Sequence, residues 1–225
     1  ESVRPEVAQC VRGHLLCGEC KRTVTTCPKC KQPFSVNRTS PVLCQIIQAL
    51  PRRCRHTNCR MYLTVDDWHE KWCGLQMVRC RNTGCVWRGH GQDLLAHIKT
   101  NKSLFIFKES NPAMHFPDFD SNTFSNCYFP IVAHGQFFWG EATCDRDRGL
   151  FAMKFELVPN GVPWSDYLIE VSFSSEDCFS QSKFRFDWEQ GLNSNTVYVP
   201  IDLLPNFVDL DGRLFFKIFI EVSDY

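Results

Sequence analysis

The run CVRGHLLCGECKRTVTTCPKC, residues 10–30, carries six metal-type ligands: Cys10, His14, Cys17, Cys20, Cys27 and Cys30. Pairs spaced two or three residues apart let two donors of one tight turn reach a single ion, with Zn–S bonds of about 2.3 Å. Three such pairs in so short a run point to folding around metal rather than around apolar side chains. Six ligands is nonetheless an awkward number. One tetrahedral zinc takes four ligands and two take eight, so the run is either one site with spare thiols or two sites lacking a pair.

Two later segments repeat each other. CRHTNCRMYLTVDDWHEKWC runs from Cys54 to Cys73 and CRNTGCVWRGHGQDLLAHIKTN from Cys80 to Asn101, both opening CRxTxC. The paired cysteines suit a small β-hairpin knuckle, and VDDWHEKW or GQDLLAHI suits a short helix bearing the next ligand. The first copy offers Cys54, Cys59, His69 and Cys73, with the last two one helical turn apart. The second offers Cys80, Cys85 and His97, followed by Thr100, Asn101 and Lys102, none a usual zinc ligand. His90 is either the fourth ligand or a loop residue before the helix. Zn2+ is the expected cofactor, about three to four ions per chain.

Composition divides the chain near Ser103. The first part holds 11 of the 14 Cys and 1 of the 19 Phe. It cannot build much apolar core, so something other than burial must hold it. Charge divides at the same place: 17 Lys and Arg against 7 Asp and Glu before it, 8 against 18 after it. The two poles attract each other or face different partners, or the basic part simply offsets the negative charge of thiolate sites. No run approaches the ~20 apolar residues of a membrane span, and no secretory signal opens the chain. Short-spaced Cys pairs interleaved with His read as metal binding in a reducing compartment, hence the cytosol or the nucleus.

After Ser103 the pattern has a period of two. Phe151, Met153, Phe155 and Leu157 share one side of LFAMKFEL; Tyr167, Ile169, Val171 and Phe173 share one side of YLIEVSF. In RLFFKIFIEV, Leu214, Phe216, Ile218, Ile220 and Val222 do the same. Such alternation describes half-buried antiparallel strands. SLFIF, CYFPIVA, QFFWGEA, KFRF and TVYV add shorter strands, separated by HG, DRDRG, VPNG, GLNSN and DLDG turns, and IDLLPNF is the one weak helical segment. A β-sandwich with most of the Phe in its core follows. Cys44, in the amphipathic helical pattern SPVLCQIIQAL, and the isolated Cys127, Cys144 and Cys178 read as small buried hydrophobes. No Cys–His nucleophile signature includes His115 or His134.

In this order, a partial RING, a helical link, two paired-Cys zinc fingers and an antiparallel sandwich resemble the seven-in-absentia (Siah) family of RING-type ubiquitin ligases. The resemblance rests on the CxxxHxxCxxC…CPKC ligands, the CRHTNC…HEKWC and CRNTGCVWRG…AH fingers, and the terminal GRLFFKIFIEV strand. It implies an α+β, mostly β chain: a partial RING at 1–40, a helical linker at 41–52, fingers at 53–76 and 77–102, and a TRAF-like, substrate-binding β-sandwich at 103–225. It also implies crossed zinc pairing, with Cys10, His14, Cys27 and Cys30 completing one site while Cys17 and Cys20 hold half of another. Family spacing would put the missing pair just before Glu1, so the chain is expected to be cut within its RING. The members have longer gaps within the finger Cys pairs and a closing His where this chain has IKTNKS, so the second finger is expected to be degenerate.

The implied activity is catalysis by positioning: the RING grips a ubiquitin-charged E2 enzyme and the sandwich presents a degron-bearing substrate, with no covalent intermediate. Pro28 and Val24 would belong to the E2 platform, and Lys31 would contact ubiquitin; Pro28 reads equally as a plain knuckle turn. Degrons would add to a sandwich edge, and Tyr128, Phe129 and Ile131 around Pro130 are groove candidates because Pro cannot donate to a ladder; the same Pro reads equally as edge protection. Homodimerisation through the sandwich is expected. The rival readings are a non-catalytic adaptor with the same modules, and a nucleic-acid binder. The finger spacing argues against the latter, since groove-reading fingers place about 12 residues between their Cys and His pairs.

Overall fold

The computed structural model describes residues 7–35, 41–64, 67–100, 107–108, 114–189 and 195–223. They divide into two compact units, 1–68 and 69–225, with the boundary inside the expected first finger. Most of the SLFIF strand and of the GLNSN turn lies outside the described residues.

The first unit is made of short hairpins. β1 (Val7–Gln9) pairs with β2 (Leu15–Cys17), and a five-residue helix, α1 (Gly18–Arg22), follows directly. The Cys10–His14 turn between the strands closes with Cys10 N–H on His14 O at 2.9 Å and Gly13 N–H on Cys10 O at 2.8 Å. Gly13 sits at φ +84°, a conformation a side chain would strain. Isolated bridges pair Cys10 with Phe34 and Thr26 with Pro33, and Lys21 Nζ stands 4.5 Å above the Phe34 ring. α2 (Pro41–Ala49) realises the SPVLCQIIQAL pattern, its Pro at the first helical position where no N–H is missed. β3 (Arg52–Arg53) and β4 (Tyr62–Leu63) close the unit.

In the second unit, the finger elements α3 (His69–Trp72), β5 (Met77–Arg79), β6 (Arg88–His90) and α4 (Gly91–Thr100) precede the sheets. The strands are β7 (Phe107–Lys108), β8 (Met114–Phe116), β9 (Asn126–Ala133), β10 (Gln136–Asp145), β11 (Leu150–Leu157), β12 (Asp166–Ser174), β13 (Phe179–Phe186), β14 (Thr196–Pro200) and β15 (Leu214–Ser223). One sheet has the order β14-β11-β10-β9-β7, the other β13-β12-β15-β8, and every pairing is antiparallel except β7 with β9. IDLLPNF forms a 3-10 helix, and β8 is a strand that period-two reading did not find.

The alternation read from sequence is the alternation observed: β11 buries Phe151, Met153, Phe155 and Leu157 and half-exposes the residues between them. Rings from the two sheets meet in one core, Phe151 against Phe173 at 6.3 Å and Phe138 against Phe186 at 5.4 Å, both edge-to-face. Phe179 and Phe219 depart from the core expectation, 65% and 45% exposed on the outer side of their sheet.

β10 departs from alternation: Gln136, Phe137, Phe138 and Trp139 are all buried. The cause is the second finger, whose Cys80, Leu94 and Ile98 pack with Phe137, Trp139 and Val158. A strand covered on both faces reads as a continuous apolar run, as QFFW does. The join is tight. Gly91 N–H donates to Gln76 O at 2.9 Å, Gln92 N–H to Gly74 O at 3.0 Å, and a Cβ on Gly91 would lie 1.9 Å from Pro159 O. Trp72 of α3 enters the sandwich core itself, with its carbonyl accepting from Gly161 N–H at 2.8 Å. The second finger and the sandwich therefore pack together within the one unit 69–225.

The Gly91→Ala substitution forces α4 or the 158–161 loop to move. A destabilisation of about 1–3 kcal/mol in denaturant unfolding of the second unit is expected, the usual cost of overpacking; a wild-type midpoint would show that α4 is not seated against Pro159.

Candidate metal centres

Two knuckle turns build the first centre. Cys27 N–H donates to Gln32 O at 2.9 Å and Lys31 N–H to Cys27 O at 2.8 Å, which folds Cys27-Pro28-Lys29-Cys30 back toward the Cys10–His14 turn. The donor atoms of Cys10, His14, Cys27 and Cys30 all lie within 4.8 Å of one another. Individual separations are 3.5 Å for Cys10 Sγ to His14 Nδ1, 3.8 Å for Cys27 Sγ to His14 Nδ1 and 3.7 Å for Cys10 Sγ to Cys30 Sγ. A zinc tetrahedron with bonds of about 2.3 Å to sulfur and 2.0–2.1 Å to nitrogen requires about 3.8 Å between sulfurs and about 3.6 Å from sulfur to nitrogen. The donor set fits zinc in type and in spacing.

Electrostatics favours the thiolate at part of this set. Burial opposes ionisation of Cys27, but N–H groups of Cys30 and Lys29 and the thiols of Cys30 and Cys10 outweigh it, and its pKa lies below the usual thiol value. Cys17 and Cys20 are both exposed and stand apart from this group. Cys17 caps α1, and the N–H of Cys20, 3.5 Å from its sulfur, is the first cause of its lowered pKa; Cys20 is raised by its contacts with Cys17. Pro28 and Lys31 are exposed on the second knuckle and Val24 is half-buried beyond α1.

The CRxTxC repeat is a repeat of backbone geometry. Cys54 N–H donates to Met61 O at 2.9 Å and Cys80 N–H to Trp87 O at 3.1 Å; Cys59 N–H donates to His56 O at 3.1 Å and Cys85 N–H to Asn82 O at 3.0 Å. The residue before the second Cys has positive φ in both, Asn58 at +67° and Gly84 at +77°. The four ligands expected of the first finger fall two to each unit: Cys54 and Cys59 buried in the first, His69 and Cys73 at either end of α3 in the second.

The second finger brings Cys80, Cys85 and His97 within 4.8 Å, with Cys85 Sγ 3.3 Å from His97 Nε2. His90 is outside that group; its Nδ1 lies 3.4 Å from an Asp93 carboxylate oxygen. Trp87 is the residue sequence reasoning missed. Its ring stacks on His97, centroids 4.5 Å apart at 7°, and a Cβ on Gly89 would come within 2.4 Å of it. The signal was CVWRG: a Trp two residues from a Gly, inside a ligand run.

The groove candidates are committed elsewhere. Phe129 and Ile131 are buried in the sandwich core, and Tyr128 donates its hydroxyl to Glu141 at 2.8 Å beneath Arg81, which pairs with Glu156 at 2.6 Å. Their side chains face the core and the second finger because both faces of β9 are covered. Its Ile131 and Val132 pair in parallel with β7, and Pro130 lies opposite Trp139.

Comparison with known proteins matches residues 1–30 to the family described as E3 ubiquitin-protein ligase sina/sinah, RING finger. Over 115 residues, 48% of this chain and 32% of the relative, the chain is 30% identical to the "Probable E3 ubiquitin-protein ligase sinah" of Drosophila melanogaster. It is 27% identical to the E3 ubiquitin-protein ligase siah2 of Xenopus laevis, over 45% of this chain and 35% of that one. Against the human E3 ubiquitin-protein ligase SIAH2 it is 26% identical, over 43% and 32%. The chain thus aligns with about a third of the length of these relatives. Among the described residues no helix is long and apolar enough to cross a membrane.

If coordination holds the first unit, stripping metal with a strong chelator opens it while the sandwich persists. Limited proteolysis of the apo-protein is expected to cut before Trp68 and spare a fragment spanning 114–223; equal protection of both units with and without chelator would contradict this.

Proposed function

We propose that the chain acts as a RING-type ubiquitin ligase, recruiting a ubiquitin-charged E2 through residues 10–31 and presenting protein substrates held on its C-terminal sandwich. The observation that carries this reading is the Cys10, His14, Cys27 and Cys30 set, whose separations suit one tetrahedral zinc, within the residues that match the sina/sinah RING model. Zinc held by Cys10, His14, Cys27 and Cys30 would supply no reactive group; these four residues would tie the two knuckles together through it and so fix what their surface presents.

That surface offers the features expected of an E2 platform. Pro28 is exposed between two ligands, Val24 is half-buried nearby in sequence, and Lys31 follows the last ligand at φ +59°. Transfer then depends on holding the E2 thioester in a reactive arrangement, and the protein contributes binding energy and orientation. Cys54, Cys59, His69 and Cys73 are proposed to hold the first finger's zinc, by their spacing. Cys17 and Cys20 are proposed to belong to a second RING zinc, as the crossed pairing of the resemblance implies. Substrate capture on the sandwich and homodimerisation through it rest on the same resemblance. Since Phe129 and Ile131 are turned into the core, an extended degron would be read there through backbone groups or by another edge.

The assay is discharge of ubiquitin from charged E2 enzymes by the full-length protein. Discharge faster than by E2 alone is expected, falling about tenfold for Pro28→Ala, the loss that ~1.4 kcal/mol of interface energy represents. If the wild type accelerates no E2 in a broad panel, the ligase reading fails and a non-catalytic adaptor is left.

A further inference from the structure

The second finger gathers three donors and then runs out of them. Cys80, Cys85 and His97 are the members of its group. His90 turns Nδ1 to Asp93, Glu156 is taken by Arg81, and Cys127, Cys144 and Cys178 pack against the sandwich core. From Ile98 to Lys108 the sequence contains no Cys, His, Asp or Glu. Three donors at zinc spacing with no fourth among the described residues is the arrangement that leaves a coordination position for a ligand from outside.

We infer that this finger holds zinc through Cys80, Cys85 and His97 and leaves its fourth position to a small thiolate from solution. Three observations select that donor. Two thiolates and a neutral imidazole exactly offset the charge of the dication, so an added anion meets no net negative centre, and a sulfur donor matches the softness of the set already present. Arg79 and Arg88 are directly opposed across β5 and β6, both exposed, on the rung next to the one closed by Cys80 and Trp87. Like charges so opposed are unfavourable by themselves, and a neighbouring anion relieves them. Finally, the site is reachable. Cys80 is buried but Cys85 and His97 are only half-buried, and a cavity of about 370 Å³ opens beside Cys80, its lining including Arg79, Arg81, Trp139 and the Glu156 that Arg81 pairs. Trp87 meanwhile clamps His97 from one side, which holds the imidazole in place without a fourth ligand to complete the shell.

The test replaces zinc by Co2+ in the full chain and titrates 2-mercaptoethanol, then glutathione, following the visible bands of the thiolate-bound cobalt and the total metal retained. A saturable band shift with no loss of metal is expected for the wild type, and none for Asn101→His, which sets a second His four residues after His97. The Cys85→Ser variant is expected to lose one metal ion per chain together with the shift. A spectrum indifferent to thiols, a shift that survives in Asn101→His, or unchanged metal content in Cys85→Ser would each overturn the inference. Should Asn101→His fail to fold, zinc release from the wild type to a chromogenic chelator decides. One ion leaving ahead of the others, and slowed by added thiol, is expected; release of all ions in a single phase indifferent to thiol overturns it.

Discussion

Coordination takes the place of burial in the first unit. Its buried hydrophobic residues, among those described, are Cys10, Cys27, Cys54, Cys59 and Leu63: four expected zinc ligands and one leucine. A core of that size cannot offset the conformational entropy of ordering some sixty residues at about 1–2 kcal/mol each. Coordination adds what so small a core lacks, since structural zinc contributes on the order of 10–16 kcal/mol per site. The local geometry is arranged accordingly, with every described ligand turn closed by backbone hydrogen bonds around a sulfur rather than by apolar contact. The surplus of Lys and Arg in this part has a matching role, because a site with three thiolates and one imidazole remains negative after zinc binds.

In the second unit the balance reverses, and the second finger sits at the crossover. Its metal ligand Cys80 shares an apolar cluster with Leu94, Ile98, Phe137, Trp139 and Val158, so the finger is held by packing on the sheet as well as by its donors. Composition shifts at Ser103, but contact does not, because the residues joining finger to sandwich are scattered: Gly91 in the finger, Pro159 in a loop, Trp72 in α3.

What was legible in the sequence was what repeats. The period-two runs gave the strands and their buried faces, and CRxTxC gave two knuckles whose hydrogen bonds and positive-φ positions coincide residue for residue. What was not legible depended on three-dimensional neighbours. Pro130 pointed to an edge or bulge with Tyr128, Phe129 and Ile131 as groove residues; among the described residues only the two-residue β7 flanks β9 beyond β10, at Ile131 and Val132, but the side chains of Phe129 and Ile131 enter the core and Tyr128 packs with the finger. A single strand's sequence cannot report what lies over its second face, although the unbroken QFFW in the next strand carries that information. The stacking of Trp87 on His97 was hidden for the same reason, as was the choice of Nδ1 in His14 and Nε2 in His97.

The metal centre and the proposed E2 platform are one device. Lys31 is a non-glycine residue at φ +59°, a conformation that L-residues adopt at a cost. It is held there by its N–H on Cys27 O at 2.8 Å and by the ligand immediately before it. Pro28 is fixed from both sides, between Cys27 and Cys30. Both side chains are exposed, so a zinc held by Cys10, His14, Cys27 and Cys30 would be what fixes their presentation. On the proposed ligase reading no side chain would carry a covalent intermediate, and turnover would depend on how rigidly Cys10, His14, Cys27 and Cys30 hold the two turns together, which would put the weight of that function on the same bonds that make the unit fold.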